Sequence, residues 1–215
     1  MKHKFIIMFA FMMAFPSFAT EYVAGDIVAG MRLNTAYPLL GLWKGEFDVL
    51  EEPNTEAHDA KLGKLAAGMG IDAVYFLTDN LAVGVSAMND FFDKRIASGV
   101  AKEVSTNIFN VMFLTRYYFN PQDKVKLYVP LAVGMANTAV TIEMLKDEKF
   151  YYTGFAAHIG AGVEYYIKNG VSLGAEVLYR HNVFHDSKYT SEGNYVALYP
   201  RTNYISYSLR LLKKF

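Results

Sequence analysis

The chain has no cysteine among its 215 residues, which excludes a disulfide scaffold and any thiolate metal site. It also lacks an excess of either charge. With 21 Lys+Arg against 21 Asp+Glu and no basic run, it carries no electrostatic footprint for nucleic acid. Beyond Ala19 no apolar stretch approaches the roughly twenty residues that a membrane-spanning helix needs. What is present is hydrophobic character, 53% of all residues and 15% aromatic, too much for a disordered chain.

The first residues read as a leader. Lys2 and Lys4 precede an apolar run from Phe5 to Phe15, and Ser17 and Ala19 supply small residues at the spacing of a signal-peptide cleavage site. The expected organisation is therefore a signal peptide over 1–19, cleaved after Ala19, and one domain over 20–215.

Past the leader, apolar residues recur at every second position, the period of a strand and not of a helix. Examples are Leu81, Val83, Val85, Ala87 and Val125, Leu127, Val129, Leu131, Val133. Eight such segments follow one another, starting near Ile27, Leu65, Leu81, Phe109, Val125, Phe155, Val171 and Ile205. Their connections alternate in length. Short ones lie at 78–80, 120–124 and 168–170, built from turn formers such as Lys168-Asn169-Gly170, and long ones at about 45–61, 90–104, 138–151 and 182–200. The short turns recur about every 45 residues, which marks a repeated hairpin unit.

Strands that run into a short turn, or into the C-terminus, end in aromatics: Tyr75, Phe76, Tyr117, Phe119, Tyr165 and Phe215. Rings with an apolar body and a polar edge favour a membrane interface, so these residues are expected to form one aromatic girdle.

The other face of the strands decides which side is inside. It carries half of the sixteen glycines, together with Arg32, Asp72, Arg116, Lys126, Glu164, Glu176, Arg180 and Arg210. Glycine weakens an exposed strand but makes room inside a narrow barrel, and acids and bases gathered in one small lumen can pair. The expectation is an eight-stranded antiparallel up-and-down transmembrane β-barrel. Its lumen is filled by an ion-pair network of Arg32, Asp72, Arg116, Glu164, Glu176, Arg180 and Arg210, leaving no open pore. Pro130 conflicts with this pattern, because it removes a ladder hydrogen bond in mid-strand; a bulge or a shifted register is expected there.

Three stretches resemble the small outer-membrane β-barrel proteins of Gram-negative bacteria, the group that includes the OmpA membrane domain, OmpX and OmpW. They are Tyr75 to Val83, the strand end Arg116-Tyr117-Tyr118-Phe119, and the final strand alternating to Phe215. The resemblance implies an outer-membrane location among lipid and lipopolysaccharide, with Phe215 as the signal read by the barrel-assembly machinery. It implies a non-enzymatic role in envelope structure or through loop contacts, with an OmpW-like narrow route for small or hydrophobic solutes as the alternative. Lys213-Lys214 before Phe215 departs from OmpW. The second alternative is a lipid-modifying enzyme. His181 and His185, four apart and followed by Asp186, are its candidates, as they are for a metal site, but no serine stands at a convincing spacing. No cofactor, metal or catalytic residue is expected.

Overall fold

The computed structural model describes residues 22–39, 65–96, 103–142, 148–185, 189–191, 194–196 and 201–215. The leader assigned to 1–19 and the first long loop lie outside them. Eight long strands close into one barrel: β1 (Ile27–Pro38), β2 (Ala66–Phe76), β3 (Leu81–Ile96), β4 (Glu103–Tyr118), β5 (Val125–Ile142), β6 (Glu148–Lys168), β7 (Val171–Phe184) and, after a small hairpin of β8 (Tyr189–Ser191) and β9 (Asn194–Val196), β10 (Arg201–Lys214). Each long strand pairs antiparallel with the long strand before and after it, β7 with β10 across the separate β8–β9 hairpin, and β1 closes on β10 from Val28↔Lys214 to Pro38↔Tyr204. Among the described residues there is no helix.

The turns follow from local chemistry. Asn169 and Gly170 both have positive φ, 53° and 73°, the two-residue turn whose twist matches that of the strands it joins. In the β4–β5 turn the Asn120 side chain donates to the Val125 carbonyl and accepts from Leu127 N–H. At the opposite end the structure corrects two expected loops. The segments assigned to loops at 90–104 and 138–151 are largely strand, since β3 runs to Ile96, β4 starts at Glu103, β5 runs to Ile142 and β6 starts at Glu148. Polar residues such as Asn89 and Asp90 interrupt the apolar alternation without interrupting the backbone ladder.

Pro130 is accommodated without a bulge or a register shift, contrary to expectation. The β5–β6 pairs run from Val125↔Tyr165 to Tyr128↔Gly162 and resume in the same register at Leu131↔Ile159. On the other side the ladder is continuous through Arg116↔Pro130. Leu127 accepts from Phe119, just past β4, and Lys124, just before β5, accepts from Tyr166 on β6, so the even residues of β5 face β6. The nitrogen that lacks its proton therefore points at Gly160, and the interruption is confined to one side of one strand.

The outer face is apolar over most of its height. Leu33, Val85, Phe113, Leu131, Ile159 and Leu209 all lie exposed on it. At the short-turn end it is rimmed by Tyr75, Tyr117, Phe119 and Tyr165, and toward the long-loop end it turns polar at Asn89, Asn107, Asn137, Thr153, His181 and Asn203. From Tyr117 to Asn107 along β4, a tilted strand rises about 25 Å, the height of a bilayer's apolar band.

Candidate functional site

The lumen is solid and layered. At the short-turn end the chain ahead of β1 folds under the barrel, where Ala24 N–H donates to Asp79 and Tyr22 N–H to the Pro121 carbonyl. The Tyr22 ring enters the mouth, with its centroid 4.6 Å from Phe76 and 5.4 Å from Tyr118. Its hydroxyl donates to Glu164 Oε2 at 2.8 Å, and Tyr118 donates to the other oxygen at 3.0 Å. Lys126 Nζ lies 4.9 Å from the centre of the Tyr22 ring, a cation held over an aromatic face.

Above this layer Asp72 stands at the centre of three arginines. Its Oδ1 accepts from Arg32 at 3.1 Å, and its Oδ2 from Arg116 and from Arg210, each at 2.7 Å. Glu176 accepts from Arg32 at 2.8 Å and from the Tyr128 hydroxyl at 2.9 Å, and Arg210 also reaches Glu164 at 3.3 Å. These side chains are almost wholly shielded from solvent, so each charge depends on its partners to offset its desolvation. Gly162 permits the arrangement: a Cβ there would lie 2.1 Å from the Tyr128 ring.

Arg180, grouped with this cluster on sequence, belongs to a separate one. It pairs with Asp90 at 2.5 Å, in a group completed by Asn34 and Tyr204. The Met88 sulfur joins the two clusters, accepting from Arg32 at 3.4 Å and from Arg180 at 3.3 Å. Toward the long-loop end Phe92, Ile108, Tyr152 and Phe184 are buried beside alanines and beside the polar Thr106, Thr138, Asn182 and Thr202. His158 is also buried, next to an enclosed cavity of about 10 Å³ that Ser86 and Pro130 help to line, room for one water at most.

One further expectation is corrected. Phe76 is not part of an outer girdle: its even position turns it inward, where it is fully buried, while Tyr75, Tyr117, Phe119 and Tyr165 remain exposed outside. His181 and His185 do not converge. On a strand, residues four apart lie about 13 Å from each other, too far to share an ion, and Asp186 is outside the described residues. The ring of His181 instead contacts Asn203 Oδ1 at 2.5 Å on the outer face, and Tyr179 donates to the same oxygen at 3.1 Å. Among the described residues no hydrogen bond joins His181 to a serine or a carboxylate, and no cluster suits a metal ion.

Sequence reasoning missed Asp90, Tyr22, Tyr128 and Tyr204. For Asp90 the signal was its even parity with Gly84, Ser86 and Met88, obscured by the assumption that polar Asn89-Asp90 begins a loop. Tyr22 precedes the first strand, and no periodicity could place it.

A closed antiparallel barrel with an apolar outer belt and a paired, packed interior defines a transmembrane β-barrel protein. The chain belongs to the outer membrane protein beta-barrel domain family, whose model matches residues 9–209, and its place is the bacterial outer membrane. It is similar in fold to Neisserial surface protein A, at 17% identity over 91% of this chain and 100% of that one, with a TM-score of 0.57. It is likewise similar to the outer membrane protein OprG from Pseudomonas aeruginosa, at 13% identity over 92% and 99% of the two chains, with a TM-score of 0.53. No curated protein matches the sequence.

Proposed function

We propose that the protein is a non-enzymatic outer-membrane barrel that acts in envelope structure or through its long-loop end, and not by conducting solutes along its axis. The observation that carries this reading is the Asp72 cluster, which fills the cross-section with charges that pair with one another. In this reading the leader is removed after Ala19, and the short turns and both termini face the periplasm. Tyr75, Tyr117, Phe119 and Tyr165 form the inner-leaflet girdle, and Phe215 addresses the assembly machinery. The surrounding lipid and lipopolysaccharide are its immediate partners. Refolded protein in planar bilayers tests it. A folded barrel, identified by a heat-dependent shift in gel mobility, is expected to show no steady open level, and regular conductance steps would overturn the reading.

The interrupted ladder at Pro130 favours a second reading, a narrow route for a small or hydrophobic solute through the wall. It lies beside an outer groove of about 560 Å³ over Ala161 and Gly162. Pro130→Ala supplies the missing donor opposite Gly160 and is expected to stabilise the barrel by about 0.5–1.5 kcal/mol. If the route operates there, the same change lowers solute uptake into proteoliposomes; unchanged uptake removes this reading.

A further inference from the structure

The outer wall is not uniform around the barrel. Among the side chains described at the long-loop edge of the apolar belt, Arg201 and His181 point outward on the β7–β10 seam. Arg201 pairs across the seam with Val183, and Asn203 with His181. Because the His181 ring and the Tyr179 hydroxyl both engage Asn203 Oδ1, the Asn203 amide nitrogen is the group left to donate outward. The imidazole is held by the same contact, through its Nδ1.

Further down the same two strands the surface sinks. Ala175 on β7 and Ala161 on β6 form the floor of a groove of about 560 Å³, walled by Tyr207 and Leu209 of β10 and by Leu127 of β5. Asn203 and Tyr207 lie four residues apart, so the polar cap and the groove are separated by about 13 Å along the strand. A basic, hydrogen-bonding cap at the membrane edge, standing above an apolar groove on the same strands of the lipid-facing belt, has the charge and polarity profile of one amphiphile with an anionic head.

We infer that the β7–β10 seam is a binding site for a phosphate-bearing lipid of the outer leaflet. The phosphate is held by Arg201, His181 and Asn203, and an acyl chain lies over Ala161 and Ala175. The inference rests on the membrane-embedded barrel but on no assumption about transport. Phosphate oxygens suit a guanidinium and amide donors, which form charge-assisted bonds, and small floor residues let a methylene chain approach the backbone.

The test is native mass spectrometry of protein reconstituted in phosphatidylcholine vesicles doped with bis-phosphorylated lipid A, then released into detergent. The wild type is expected to retain lipid A. The double variant Arg201→Gln with His181→Gln should retain about tenfold less, as loss of charged hydrogen bonds predicts. Ala175→Phe, which fills the groove and leaves the cap intact, should also lose it, whereas Arg201→Lys should keep most. Lipid A stripped of phosphate should bind the wild type no better than the double variant. Equal retention by the wild type and both disruptive variants would overturn the site, as would full displacement by inorganic phosphate, since the groove would then contribute nothing. The heat-shifted band of each variant separates loss of the site from loss of the barrel.

Discussion

Asp72 is the residue on which most of the interior charge converges, since one carboxylate accepts from arginines on three different strands. Arg32 and Arg210 have second carboxylate partners in Glu176 and Glu164, whereas Arg116 otherwise lies over the Tyr128 ring. Asp72→Asn is therefore expected to cost about 3–5 kcal/mol, because it strands buried cations instead of exchanging a pair for apolar groups. Urea-induced unfolding from lipid vesicles measures it, and a cost below that of an ordinary neutral hydrogen bond would contradict the central role. Gly162 tests packing at the same level. Gly162→Ala places a methyl group against the Tyr128 ring, which Glu176 and Arg210 hold, and overpacking of this kind costs about 1–3 kcal/mol. Its unfolding midpoint should fall without any change in lipid dependence.

Among the elements, β5 shows what each face of a strand tolerates. Leu131 points into lipid near mid-height, so Leu131→Arg is expected to destabilise the barrel by about 2–4 kcal/mol, read from the same urea titration. Inward Ser208 is no roomier: it is buried and donates to Asn34 at 2.8 Å, so a long side chain there meets packed neighbours. Pro130 acts on neither face but on the ladder edge between them, which is why its replacement is expected to stabilise. A loss of stability in Pro130→Ala would mean that the fixed backbone of proline matters more than the missing donor.

The whole molecule is closed twice, once by the ion-paired layer around Asp72 and once by the aromatic layer that Tyr22 completes. Truncating Tyr22 to Ala should therefore cost stability by about 3–5 kcal/mol, as for other buried aromatics. It should not open a conducting path, because the charged layer above it remains. Planar-bilayer recording of the folded variant checks this, and a steady conductance appearing with that single change would show that the N-terminal strap alone seals the barrel.

Strand number, facing and the inward charges other than Asp90 were legible in the sequence because they depend on a period of two and on the interval between turns, both properties of the chain alone. The apolar belt follows from the same alternation, whose odd positions are outward from Ile27 to Leu209. Phe76 was misplaced because composition at a strand end suggested a girdle, where parity would have turned it inward. Which charges pair was decided only by the tertiary structure. Asp72, Arg116 and Arg210 come from β2, β4 and β10, and Arg180 finds Asp90 from the opposite wall. Such meetings depend on strand tilt, on the stagger of the closed sheet and on side-chain reach across the lumen. Alternation says only that a side chain points inward, and closure of the barrel determines what it meets there.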